Sequence, residues 1–248
     1  MQEKTMPLQG HLKELRRIVV VSGLSLLACS FAVFFTWGDW LFQFLTAPLR
    51  ELDVPVISIR VAEIFLTKIK ISLLAGFVLS FPVILIQVWG FFSPALTKRE
   101  KRLAAVILPL AILLFAAGLS FAYLTVYPMA VKFLLLMATG GLSPMITVGE
   151  YLSFTLAFFI PFGMAFEMPL VIFMLGKLGI VGPAALSRSR KYVLLAVLVA
   201  AAVLTPGPDV VSQVMMAVPV YLLYEVSIWI SYLIWRREKR KLAVDVEA

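Results

Sequence analysis

Few residues of this chain have side chains suited to chemistry. It holds one histidine, His11, and one cysteine, Cys29. A single Cys excludes an internal disulfide, and a single His cannot build the usual zinc site. There is no His-Glu-x-x-His and no Gly-x-x-x-x-Gly-Lys-Ser/Thr to cradle a phosphate. A Ser/His/Asp set would have to use His11, which lies in the terminal segment. An intramembrane aspartyl pair fails because no expected span contains an Asp, Asp209 lying just before the sixth. The sequence therefore reads as no enzyme, with no metal and no cofactor.

What remains is a set of carboxylates: Glu14, Glu100, Glu167, Asp209 and Glu225. Glu167 stands in an otherwise apolar stretch from Glu150 to Lys177 that is long enough to cross a bilayer, which takes about 20 apolar residues. A carboxylate near the membrane centre costs roughly 2.5–3.5 kcal/mol on insertion scales. Pro161 and Pro169 bracket it, and each removes a backbone donor and loosens the helix. Two readings fit. The acid is neutral and hydrogen-bonded to a neighbouring helix, or it faces a polar cavity or a partner's polar group, which is the default for an intramembrane ionisable residue. Glu14 and Glu100 lie among basic residues, and two readings fit them as well. They pair locally, Glu14 with Lys13 or Arg17 and Glu100 with Lys98 or Arg102, or they present carboxylates at a membrane surface to a cation. Arginine would be the natural ligand, because its planar fork matches a carboxylate.

The elements that must position these groups are membrane helices. The 248 residues are 62% hydrophobic with mean hydropathy +1.00, whereas a soluble domain is about 45–50% apolar. Spans are expected at about 18–37, 65–90, 103–123, 151–176, 192–205 and 210–235, in one membrane domain covering 1–248. Residues 1–17, with Leu8, Leu12 and Leu15 on one face, predict a short interfacial helix. Trp40, Phe42, Phe44 and Leu45 predict a second one before Pro48. Arg16-Arg17, a short apolar run and Cys29 imitate a cleavable signal, but the run continues through Trp37 and makes a full span. Lys68 and Lys70 lie close enough to a helix end to snorkel.

The last hairpin is short. Between Lys191 and Thr205 only about 13 apolar residues are available. They reach roughly 20 Å against a core of ~30 Å. The bilayer must thin there, or the Thr205-Pro-Gly-Pro-Asp209 turn must lie below the surface. The net charge of +8 is a topology signal rather than a nucleic-acid signal. Seventeen of the 22 Lys and Arg fall in residues 1–17, 91–102, 177–191 and the tail, which places both termini in the cytoplasm.

The order and wording of several segments resemble the TatC family, the polytopic subunit of the twin-arginine protein translocase. They are His11-Leu-Lys-Glu-Leu-Arg16, Pro82 to Glu100 with Gln87-Val-Trp-Gly-Phe-Phe, Phe121-Ala-Tyr, Phe166-Glu-Met-Pro169, and Thr205–Gln213 followed by Pro219 and Glu225. The resemblance runs over about residues 7–235. It implies an all-α, six-helix, concave glove-like bundle in the bacterial cytoplasmic (inner) membrane, with short fifth and sixth helices. It also implies a receptor for twin-arginine signal peptides on folded cargo, with export driven by the proton-motive force. By the same resemblance Glu14, Arg16, Phe91 and Glu100 would bind the signal peptide, and Glu167 is the intramembrane polar residue. Thr205, Asp209, Gln213 and Glu225 fall where single-span TatA- and TatB-type partners dock. Membrane lipid and further copies of the chain complete the implied partners, with no nucleic acid. Ile18 stands where the family often has a basic residue. Without the resemblance, a proton-coupled small-solute transporter using Glu167 is the alternative.

A reporter fused after Ala248 that is active only outside the cell should stay silent. Activity there would mean an odd number of spans.

Overall fold

Helix start and stop signals divide the chain. The computed structural model describes the backbone of residues 8–50, 56–92, 98–138, 146–177, 179–204 and 210–247, and their side chains except at 8–12, 56, 61, 91, 92, 98–106, 134–138 and 237–247. The helices are α1 Leu8–Thr36, α2 Gly38–Arg50, α3 Val61–Phe92, α4 Lys98–Phe121, α5 Tyr127–Ala138, α6 Val148–Phe166, α7 Met168–Lys177, α8 Pro183–Leu204 and α9 Val210–Glu247. A π-helical turn, Ala122–Val126, joins α4 to α5. Two short strands, β1 Val56–Ile57 and β2 Ile146–Thr147, pair in parallel.

Among the described residues, five stretches are long and apolar enough to cross a membrane: Lys13–Thr36, Ala62–Gly90, Ile107–Phe133, Val148–Lys177 and Val210–Arg236. The chain is a multi-pass membrane protein, with α8 added to these five as the fifth crossing in chain order. Helix α8 has 22 residues, so what is short is its apolar part after Lys191, and α9 continues past Trp235 to Glu247. Arg188 to Lys191, expected in a loop, lie in the first turns of α8, which opens on Pro183, a residue suited to the first helical position. The amphipathic stretch at the N-terminus is not a separate helix. From Leu8 onward Leu, Lys, Glu and Arg are good helix formers and no proline intervenes, so α1 runs unbroken through the first span.

The chain divides into two units, one formed by Met1–Ile112 with Met145–Leu152, the other by Leu113–Pro144 with Ser153–Ala248. In the first, α1 packs along α3. The contact is tight at Gly76, where a Cβ would come within 2.6 Å of the Ser30 Cα. The predicted helix before Pro48 is α2, which buries Leu45, Thr46 and Leu49 and leaves Trp40 and Phe44 exposed and stacked. Lys68 does reach a helix end: its Nζ is 2.8 Å from Asp39 and 5.2 Å from the Phe34 ring centre. The Tyr151 hydroxyl donates to the Leu45 carbonyl at 3.1 Å. Beside the small sheet, the Glu63 carboxylate accepts the N–H groups of Ile59 (3.0 Å) and, 86 residues on, of Gly149 (2.8 Å). Gly149 is the second residue of α6, so Glu63 caps the N-terminus of a helix remote in sequence.

In the second unit, the π turn precedes Pro128, which has no N–H to continue the ladder. The buried Tyr127 beside it accepts a hydrogen bond from Thr155 of α6 at 2.8 Å. Helices α7 and α8 pack on α9 around Ile172, Tyr224 and Ile228.

Replacing Gly76 by Ala should destabilise the protein by about 1–3 kcal/mol through overpacking. Gly23, with nothing within 4 Å of its absent Cβ, is the control. There Ala should be neutral or stabilise by up to about 1 kcal/mol. Thermal unfolding in detergent measures both.

Candidate functional site

Glu167 sits at a break. Helix α6 ends at Phe166 and α7 starts at Met168. The Leu170 and Val171 N–H groups donate to the Glu167 carbonyl at 3.0 and 2.9 Å, and its own N–H donates to Met164 at 3.1 Å. Pro169 is the second residue of α7, where a missing N–H is tolerated. The chain thus changes helix at the residue that carries the acid.

The side chain is buried, with 8% of its surface exposed. Its carboxylate meets the backbone of Phe115 in α4. Among the described residues its Oε1 atom is buried with no hydrogen-bond partner. Two glycines set this geometry. A Cβ on Gly118 would lie 2.7 Å from the Phe162 carbonyl oxygen, and one on Gly163 would lie 2.5 Å from the Phe115 ring. Only glycine lets α4 and α6 approach so closely. Phe121, Phe162 and Phe166 close around the contact, with ring centres of 5.6–5.9 Å for Phe121 against the other two.

A second polar cluster braces α8 on α9. The Arg190 Nε and Nη2 donate to both oxygens of Glu225, at 2.8 and 3.0 Å. The Tyr221 hydroxyl donates to the same carboxylate at 3.0 Å. The Tyr224 hydroxyl donates to the Leu186 carbonyl at 2.7 Å. Nearer the turn, the Gln213 amide donates to the Leu198 carbonyl at 2.9 Å.

The sequence-derived residues are therefore distributed as follows. Glu14 is half-buried in the second turn of α1, with Arg16 exposed beside it. Phe91 lies in the last turn of α3 and Glu100 in the first turn of α4, and their side chains lie outside the described residues. Thr205 and Asp209 lie wholly outside them. Gln213 and Glu225, read as docking residues, are engaged inside their own hairpin. Sequence reasoning passed over Arg190, Tyr221 and Glu63. The first was legible in principle: in an antiparallel hairpin turning at 205–209, residue 190 falls opposite 225.

Compared with known proteins, residues 10–219 match the family described as Sec-independent protein translocase protein (TatC). The chain is 42% identical over 238 residues to the Sec-independent protein translocase protein TatC of Carboxydothermus hydrogenoformans, covering 96% of this chain and 98% of that one. With the protein of that name from Aquifex aeolicus the identity is 40% over 238 residues, covering 94% and 98%. With that of Escherichia coli K12 it is 38% over 233 residues, covering 92% and 89%. A solved structure described as the crystal structure of twin arginine translocase receptor TatC superposes with a TM-score of 0.84 at 40% identity, covering 90% of this chain and 99% of that one.

A buried oxygen without a partner costs about 1–3 kcal/mol. Replacing Glu167 by Leu should then leave the fold intact and raise its thermal stability by about 1 kcal/mol or more. A fall of that size would mean the carboxylate has a partner that the substitution orphans.

Proposed function

Because the chain belongs to the TatC family of Sec-independent protein translocase proteins, we propose that it is the core receptor subunit of a twin-arginine translocase. It binds the paired arginines of signal peptides on folded cargo at the cytoplasmic face of the inner membrane. It then nucleates an export complex driven by the proton-motive force. The observation that carries this reading is the placement of Glu14. It lies on a helix that continues straight into the membrane, which favours a carboxylate fixed at the surface over one on a loose interfacial helix.

Glu100 lies in the first turn of α4 and Phe91 in the last turn of α3, on the same basic side of the membrane by the charge count. Lysines and arginines around them repel a cation, so attraction must come from close, well-aimed carboxylates. Glu14 and Glu100 accept the guanidinium groups, and Phe91 covers an arginine stem or ring face. Arg16 fixes the charge pattern next to Glu14. TatA- and TatB-type single-span partners dock along the short hairpin near Thr205, Asp209, Gln213 and Glu225. Gln213 spends its amide N–H on Leu198 and offers its amide oxygen. Glu167 acts later, as the polar group that a partner or water meets inside the membrane. The absence of a phosphate cradle from the sequence agrees with an energy source other than nucleotide hydrolysis in this chain.

Glu14→Gln and Glu100→Gln should each weaken binding of a paired-arginine peptide by at least ~1.5 kcal/mol, about tenfold, while the protein still inserts. Titration of a fluorescent peptide against the purified protein measures this. Wild-type affinity in both variants would remove these residues from the site.

A further inference from the structure

We infer that Glu63 is a positioning residue for transport. By fixing the register of two outer loops it sets where α6 begins, and α6 leads to Glu167 at its far end. The transport part of this inference rests on the role proposed above for Glu167.

The acid bridges the two loops, one oxygen to each. Its Oε2 accepts the Ile59 and Arg60 N–H groups at 3.0 and 3.4 Å. Its Oε1 accepts the Gly149 N–H at 2.8 Å. Gly149 is in the first turn of α6, where an N–H has no partner within the helix. The next N–H, of Glu150, donates to the Thr147 hydroxyl at 3.2 Å. Thr147 is thus the local cap, and Glu63 adds a second one from 86 residues away. Position 149 is matched to that acid. A Cβ there would lie 2.9 Å from Oε1, so glycine is what lets the carboxylate approach.

Most other contacts at this place hold the loops without choosing a register. The sheet pairs Val56 with Ile146 and Ile57 with Thr147. All are β-branched, and a run so short and uniform specifies its register weakly. Val148, Tyr151 and Leu152 are buried, but apolar burial is non-directional. Beside the Tyr151 hydroxyl on Leu45, Glu63 supplies the directional contact, a charged acceptor with fixed donors on both loops. A slip of one residue would move β2 by about 3.3 Å and take the Gly149 N–H out of reach. Helix α6 follows β2 directly and runs from Val148 to Phe166. A displacement of its start is carried to Glu167, the next residue.

The test uses the full-length protein with Cys29 replaced by Ser. In nanodiscs, hydrogen exchange of residues 146–152 is followed by mass spectrometry. Glu63→Ala should speed it about tenfold and leave Val210–Arg236 unchanged. Gly149→Ala should do the same, and the double variant should be no worse than either, because both remove one contact. Glu63→Gln keeps an acceptor for Gly149 and should fall between Ala and wild type. In membrane vesicles, Glu63→Ala should slow transport of a paired-arginine cargo about fivefold while peptide binding stays at wild-type affinity. Val56→Cys with Ile146→Cys places two thiols on facing Cα atoms about 4.8 Å apart, close enough for a disulfide. Oxidation of that pair should restore both exchange and transport in Glu63→Ala, and reduction should remove the rescue. Exchange is read without cargo, so it stands or falls apart from the proposed function. Wild-type exchange in Glu63→Ala would overturn the bridge. Transport left unchanged by Glu63→Ala, or slowed and not rescued by the disulfide, would overturn the positioning role.

Discussion

The bilayer core has no water to meet a polar group, so each polar group inside it needs a partner from the protein. That constraint organises the second unit. Tyr127 takes Thr155, Glu225 takes Arg190 and Tyr221, and Gln213 takes the Leu198 carbonyl. Glu167 is the acid among the groups that are not fully met. The contact of α4 with α6 at Gly118 and Gly163 buries it, and one of its oxygens, like the Ser187 hydroxyl, has no partner among the described residues. A carboxylate costs more than a hydroxyl in that position, which is the physical reason for the role proposed for it.

The α8–α9 hairpin shows the same constraint answered at two levels. Gln213 ties the helices together near the turn, and the Arg190–Glu225 fork does so some distance below it. The Arg190–Glu225 geometry is bidentate, and a fork fixes rotation as well as distance. A helix with only about 13 apolar residues has limited packing to hold its register. The two polar braces supply that register.

Much of this architecture was legible in the sequence because hydropathy and charge act locally. The apolar runs marked the crossings, the short run after Lys191 marked only the apolar part of α8, and the aromatic cluster from Trp40 marked α2. The misses have two causes. Helix continuity depends on the absence of a breaker, so the polar start of α1 read as a separate helix when nothing ended it before the first span. Tyr127-Pro128 read as loop, but a π turn absorbs the missing N–H and the helix goes on. Contacts between residues far apart in sequence were the other loss. Nothing local ties Glu63 to Gly149, and Glu225 shows its partner only once the hairpin register is known. For Glu14 and Glu100, single-residue chemistry left local pairing and ligand binding open, and peptide binding is proposed for them on the resemblance alone.

The pairing of β1 with β2, together with Glu63 on the Gly149 N–H, has a consequence for biogenesis. These contacts join segments about 90 residues apart. During synthesis, α1, α2 and α3 have all left the ribosome before the first residues of α6 exist. The ring formed by the outer loops therefore closes late, after the third crossing has been threaded. Until then Glu63 faces solvent with no helix to cap. Closure of that ring is a natural end point for assembly of the first unit, set by the order in which the chain is made.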